Sequence, residues 1–421
     1  MVYYGLLLFF LLEYVRPASY VPGLSVLHLN SIVPLAVLSG SLITNLKVST
    51  VEVFASLNAR WIMFLLACMV LSGLLCDVKI YALGMFINVL GYFFMYVIIR
   101  KEVYDFDRTK GIFRVLLVAH VVVGLLSPAM FSGDGERHYI ASGAFLGDGN
   151  DFALSVNIAL TMCLFLLLES PSVTKKLFYG GVLTVLVAAV VVTQSRGGIL
   201  ALACMGVYFW LTSNKKMLGL FGVVFVVGIV LATAPPQLFD RMGRLTGEKL
   251  DGSAQGRLLA WEAAVKMAVD HPLLGVGPGH FPVKYGVEYR PEGYGLNEIP
   301  WQTAHSSYFL ILGELGLPGI TFLLGILFYN FMANRRMQRE FRYLKTTEEL
   351  SRYRLLQTLN ASLIAFAVGG AFLSAAYYPH IYLLAALSEC ARRICQSNAG
   401  AAIQSNMEGL AVASEGPLQI R

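Results

Sequence analysis

Thr193-Gln-Ser-Arg-Gly-Gly198 stands between two apolar runs, residues 177–192 before it and 199–211 after it. Almost no polar linker separates them. Runs joined this tightly read as two helices crossing a bilayer in opposite directions, because lipid offers the backbone no outside hydrogen-bonding partner. The joint then lies at a membrane boundary and holds Arg196 there. A charge in that place is expensive unless it has a partner or a task. Gly197 and Gly198 allow another backbone or a ligand to come close. The residues alone leave two readings open: an arginine reaching for lipid headgroups, or one that binds an anion.

The rest of the chain has the same character. Of its 421 residues, 57% are hydrophobic and only 14% charged. Apolar stretches approaching the roughly 20 residues of a helical crossing recur throughout. They fall at 2–15, 24–43, 61–76, 79–99, 111–131, 151–169, 177–193, 198–212, 217–234, 304–332, 355–376 and 379–391. The expectation is an all-α integral membrane protein of about twelve transmembrane helices with a large, partly helical periplasmic loop. Nine helices would occupy 1–234, the loop 235–303, the last three helices 304–391, and a cytoplasmic tail 392–421. Segment 2–12 lacks a basic leader region and a small-residue cleavage site, so it reads as a retained first helix. The tail from Gln396 is small and polar, without a fold signal, and reads as mobile. No internal repeat of the transporter kind is visible.

Basic residues alternate with these spans. With the N-terminus in the cytoplasm, the inside loops carry Lys47 and Arg60, then Arg100, Lys101, Arg108 and Lys110. Lys175, Lys176, Lys215 and Lys216 follow, then a dense run from Arg335 to Arg354, then Arg392 and Arg393. Short outside loops are nearly free of them, as the positive-inside rule requires. Both termini are therefore expected in the cytoplasm. The net charge of +6 reflects these loops and does not point to nucleic acid. The six cysteines show no CxxC or zinc spacing, so neither a disulfide framework nor a metal site is expected, and no cofactor.

Outside segment 132–150 contains Arg137 and His138, which either help bind sugar or diphosphate or are simply solvated. Segment 235–303 is too short for an ordinary independent domain and reads as a cap on the membrane helices. Its best helix is 254–270, ended by Pro272 and capped by Asp251 or Ser253. Glu262, Lys266 and Asp270 form a charged stripe on it. Leu258, Trp261, Val265 and Ala268 form an apolar face. Arg257 sits in its first turn, where the helix dipole favours an anion. Two guanidinium groups on one side of a membrane suit a pyrophosphate. His305, in Thr303-Ala-His-Ser-Ser-Tyr308, falls where the loop re-enters the membrane. Imidazole exchanges protons near neutral pH and can take one from an attacking hydroxyl. It can equally be a structural hydrogen-bonder. Glu314 can pair with an arginine, help position His305, or belong to a buried structural pair. Gly275-Val-Gly-Pro-Gly279 lacks the ending of a phosphate loop and reads as a turn, with His280 structural.

These pieces, in this order, resemble the O-antigen ligase family, which also includes the O-antigen polymerases. The resemblance rests on Gln194-Ser-Arg-Gly-Gly198, on Gly256-Arg-Leu-Leu-Ala-Trp261 followed by His271-Pro-Leu-Leu-Gly-Val-Gly-Pro-Gly279, and on Ala304-His-Ser-Ser-Tyr308 running into Leu312-Gly-Glu-Leu-Gly-Leu-Pro-Gly319. Gly147-Asp-Gly-Asn-Asp-Phe152 adds a weaker piece. Together they cover about residues 130–330. The family often has Asn after the histidine, where this chain has Ser306.

The resemblance implies metal-independent glycosyl transfer from an undecaprenyl diphosphate-linked donor at the periplasmic face of the bacterial inner membrane. It implies Arg196 and Arg257 as diphosphate ligands and His305 as general base. Arg137, Trp261 and Glu314 are possible supporting residues. The leading expectation is a ligase that uses lipid A–core oligosaccharide as acceptor. A polymerase of the same glycan or a protein O-oligosaccharyltransferase shares the motifs. A lipid-linked glycan transporter explains the spans as well, but predicts charges in mid-membrane.

Overall fold

The computed structural model describes residues 1–21, 23–27, 29–43, 48–127, 146–213, scattered positions of 216–228, 252–291, 302–341, 343 and 346–414. Among these residues the regular elements are all helical. In chain order they are α1 (Val2–Val15), α2 (Leu29–Ile43), α3 (Thr50–Ala55), α4 (Leu57–Leu75), α5 (Lys79–Glu102), α6 (Phe106–Leu125) and α7 (Gly149–Leu168). Then come α8 (Val173–Val192), α9 (Arg196–Thr212), α10 (Gly252–Asp270), α11 (Phe281–Val287), α12 (Ser307–Glu340), α13 (Thr347–Gly370) and α14 (Pro379–Ser414). Among the described residues, six segments have the length and hydropathy to cross a membrane. The expected span 217–234 falls largely outside the described residues.

The helices start where the sequence offers a cap. Ser56, Asp105, Asp148, Ser172 and Ser195 each accept a backbone N–H of the first turn that follows. Such caps satisfy donors the helix leaves orphaned. Thr346 and Glu349 form a reciprocal capping box at the start of α13.

Helix α7 is the centre of the bundle. In its apolar window 83% of the residues are buried, against 28% for α8. A helix apolar all round is buried on every side. Its polar side chains are then obliged to find partners in neighbouring helices. Asn157 donates to Gly198 O at 2.8 Å, and Thr161 meets Ser362 at 2.5 Å. Ser155 Oγ lies between His120 Nε2 at 2.6 Å and His380 Nε2 at 2.9 Å.

The two ends of the bundle differ. At one end the expected loop cations are tied into the helices. Arg100 meets Glu389 at 2.7 Å, Arg108 meets Glu102 at 2.7 Å, and Arg354 meets Glu169 at 2.9 Å. Lys101 donates to Ser41 O and Arg392 to Asn334 Oδ1, both at 2.7 Å. We call this the basic end. The other end carries Arg196 at the start of α9, Arg257 near the start of α10 and His305 just before α12.

There the post-α10 turn grips α12 at a kink. Gly316 has φ 63° and ψ −152°, and Pro318 follows two residues later without an N–H to give. Leu317 N–H instead donates to Pro272 O at 2.8 Å. Gly275 has φ 62°, and a Cβ on it would lie 2.3 Å from the carbonyl carbon of Glu314. Only glycine fits both the backbone angle and that approach.

Three expectations need correction. Helix α13 ends at Gly370 and not at 376, so residues 371–378 form a turn. The tail expected to lack structure continues α14 to Ser414; its alanines are strong helix formers. On α10, Leu258 and Val265 are exposed, and the buried face is Ala260, Ala263, Ala264 and Met267. Small side chains let α10 lie close to α12, where a Cβ at Gly313 would stand 3.3 Å from Met267 Sδ.

Gly275→Ala should destabilise the protein by about 3 kcal/mol, from strain and overlap together. Gly206→Ala, within α9 with nothing inside 4 Å of its new Cβ, should be neutral or stabilise by up to about 1 kcal/mol. Thermal unfolding of the two variants in detergent checks the ordering.

Candidate active site

Arg196 is the first residue of α9. Ser195 caps the helix through Gly198 N–H at 3.1 Å, and Gln194 before it has φ 52°. His305 repeats this arrangement. It has φ 48° and precedes Ser306, the N-cap residue of α12. Left-handed backbone in a residue other than glycine is uncommon and costs of order 1 kcal/mol, so surrounding contacts must hold it. A left-handed residue thus stands just before each helix: Gln194, two residues ahead of Arg196, and His305 itself. Arg196 and His305 are each half-buried.

A single turn joins the two. A Cβ on Gly197 would lie 3.0 Å from Phe372 Cβ, so the first turn of α9 rests on residue 372. Thr303 Oγ1 and Ser374 Oγ are 2.9 Å apart. Ser307 Oγ donates to Leu373 O at 2.7 Å and accepts from Ala375 N–H at 2.9 Å. The turn 371–378 therefore touches Arg196's helix on one side and both flanks of His305 on the other.

Helix α10 is brought to the same place. Gln302 Nε2 donates to Gly256 O at 2.8 Å, next to Arg257. Trp261 Nε1 donates to Ala304 O at 2.9 Å, and its ring stacks on Phe309 at 4.9 Å. Arg257 and Trp261 are four residues apart and share a helix face. Half-buried Arg257 thus sits on the face that meets the residues before His305.

Glu314 is completely buried, and its oxygens accept from Gly279 N–H at 2.9 Å and Phe281 N–H at 3.0 Å. The geometry places it with the glycine turn, as the anchor of that turn on α12. Arg137 and His138 lie outside the described residues. His280 is fully buried and structural: its Nε2 accepts from Val78 N–H at 3.0 Å and its Nδ1 donates to Pro278 O at 3.1 Å. Of the charged stripe on α10, Lys266 pairs with Glu262 at 2.8 Å, whereas Asp270 accepts from Tyr289 OH at 2.8 Å. Burial, with this hydrogen bond, pushes the Tyr289 phenol up to about 12. On the far side of the glycine turn, Lys284 lies 2.7 Å from Asp77. The hydrogen bond from its ammonium holds the Asp77 carboxyl below the usual range.

Some residues of this end had no individual signal in the sequence. Tyr378 OH donates to buried Asp151 Oδ1 at 3.1 Å. Asp151 follows Gly149, whose Cβ position is 3.3 Å from Thr193 O, so the start of α7 abuts the Arg196 joint. The motif Gly147-Asp-Gly-Asn-Asp-Phe152 marked Asp151. Nothing marked Gln302, Phe372 or Ser374, which act through contacts distant in sequence.

The arrangement supplies two guanidinium groups, one imidazole and several helix N-termini at one end of an apolar bundle. Cationic donors and helix starts together favour a multiply charged anion. Residues 180–324 match a family model described as O-antigen ligase. The matched stretch contains Arg196, Arg257 and His305 and stops short of the 371–378 turn. A search of curated proteins returns no match.

Gln302→Ala combined with Trp261→Phe removes the Gln302–Gly256 and Trp261–Ala304 hydrogen bonds between α10 and the residues before His305. Limited proteolysis in detergent should then cut the segment carrying α10 several-fold faster, with the membrane helices intact. Unchanged cleavage would show that these two ties do not hold α10 in place.

Proposed function

We propose that this chain, whose residues 180–324 match a family model described as O-antigen ligase, transfers a finished glycan from undecaprenyl diphosphate to lipid A–core oligosaccharide. Chemistry of the O-antigen ligase or polymerase type on a lipid-linked glycan is the family's common ground. The ligase, its donor and acceptor, and the residue roles below are the proposal. The reaction takes place at the periplasmic face of the inner membrane, at the end of the bundle that carries Arg196, Arg257 and His305.

His305 takes the proton of the acceptor hydroxyl. The hydroxyl oxygen attacks the anomeric carbon of the donor sugar. The bond from that carbon to the phosphate oxygen breaks, and undecaprenyl diphosphate leaves with the electron pair. Arg196 and Arg257 hold the charge that grows on the leaving group, which is where fixed donors help a transition state most. A single displacement of this kind inverts the anomeric carbon. The donor is already activated, so the step needs no nucleotide.

The observation that carries this reading is the turn 371–378. Phe372 rests on Gly197, while Leu373, Ser374 and Ala375 bond to Ser307 and Thr303. Together with the tie from Gln302 to Gly256, it draws together three motif segments spread over more than a hundred residues. A transporter has no need of this gathering at one end.

The test is complementation of a Gram-negative cell that lacks its own O-antigen ligase but makes the matching core. Wild-type chain should restore the lipopolysaccharide ladder on a gel. His305→Ala should lower transfer by on the order of a hundredfold or more, the usual share of a general base. Arg196→Ala and Arg257→Ala should each cost a similar factor, as loss of a charge-stabilising donor does. All three variants should insert at wild-type levels. Wild-type transfer by either arginine variant would overturn the diphosphate role. Full activity in His305→Ala would overturn the base assignment. Longer glycans on the lipid carrier, with none on lipid A–core, would favour a polymerase.

A further inference from the structure

At the basic end, α6, α7 and α8 leave a groove of about 650 Å³. Lys110 and Arg114, one turn apart on α6, line it with Lys175 from the first turn of α8. Two carboxylates line it as well, Asp107 and Glu169. Glu169 is engaged elsewhere, accepting from Arg354 at 2.9 Å and Ser351 at 2.6 Å. The groove is therefore left with a surplus of positive charge.

Its other wall is apolar and continues outward. Phe178 and Tyr179 line the groove, and Phe178 is exposed. Val173, Leu177 and Val185 are exposed along the same helix. Only 28% of the α8 window is buried, against 44% or more for α4, α5, α7 and α12. A soluble anion would use the cations and leave this face idle. A phospholipid uses both, since headgroup and acyl chain are joined at the same boundary.

We propose that this groove binds the headgroup of an anionic phospholipid, with its phosphate among Lys110, Arg114 and Lys175 and its acyl chains along the outer face of α8. Basic pockets between membrane helices hold such headgroups elsewhere. The site lies at the opposite end of the bundle from His305 and does not depend on the glycan chemistry. It does require that α6, α7 and α8 cross a bilayer.

The experiment uses the full chain in neutral detergent and measures retention of phosphatidylglycerol against phosphatidylcholine by native mass spectrometry. The wild type should retain phosphatidylglycerol several-fold better. A basic residue beside an anionic lipid surface is worth about fivefold in affinity. Lys110→Gln/Arg114→Gln/Lys175→Gln should therefore lose at least tenfold (about 1.4 kcal/mol). The matched control is Lys176→Gln/Arg336→Gln/Arg339→Gln, which removes as much charge from exposed residues of the same end that do not line the groove. It should stay within about twofold of wild type, since exposed charges away from the site are screened. Equal losses in the two triple variants would overturn the site and leave only a generally basic surface. Displacement of the lipid by millimolar inorganic phosphate would overturn the lipid as ligand in favour of a soluble anion. Should the triple variant fail to fold, Lys175→Gln alone should still lower retention about fivefold, and wild-type retention there would count against the proposal.

Discussion

A buried carboxylate in a helix must be answered by donors, because an isolated charge in an apolar interior costs more than a domain can sustain. Glu314 is answered by the backbone N–H groups of Gly279 and Phe281. These bonds require the chain after α10 to run directly over α12, which is possible only because Gly275 has no side chain to meet the Glu314 carbonyl. That turn holds the C-terminal end of α10 against α12. The alanine face of α10 closes on α12, Trp261 reaches Ala304, and Gly256 meets Gln302. The position of Arg257 relative to His305 is a consequence of where one glutamate finds its partners.

The two ends of the bundle handle polar groups in opposite ways. At the basic end, polar side chains pair with each other. Arg100, Glu389, Tyr96 and Ser56 form one chain of contacts, and Arg392, Asn330 and Asn58 another. Charged side chains paired this closely in the interior resist rearrangement, since breaking one leaves an uncompensated charge. At the site end, many ties run from a side chain to backbone, among them those of Gln302, Trp261, Ser307 and Glu314, with left-handed residues at Gln194 and His305 and a turn between α13 and α14.

Much of this was legible in the chain. Apolar runs, Ser and Asp caps, the α10 helix and the glycine turn follow from local residue types. The Arg196 joint is visible because two runs meet without a linker. The turn 371–378 was not legible, although the site is organised around it. Ala371-Phe-Leu-Ser-Ala-Ala-Tyr-Tyr378 is nearly as apolar as a membrane span, so hydropathy absorbs it into the helix. What ends α13 is the Gly369-Gly370 pair and a bond from Ser307, which lies more than sixty residues away in sequence. The face of α10 was misjudged for a related reason. Periodicity finds the bulky stripe of Leu258 and Val265, but close approach between helices selects the small one. Local pattern describes which faces exist, and packing decides which one is used.

Helix α7 also has a history imposed on it by its surroundings. Asp151, Ser155, Asn157 and Thr161 find their partners in Tyr378, His380, Gly198 and Ser362. Three of those partners are synthesised about two hundred residues later. When α7 is made, Ser155 already has His120 of α6, but Asp151 and Thr161 still await Tyr378 and Ser362. The ribosome is well into the C-terminal helices before the interior of the bundle can close. Until α13 and α14 are made, α7 lacks three of the four partners just named, and a chain that stops before α13 never acquires them.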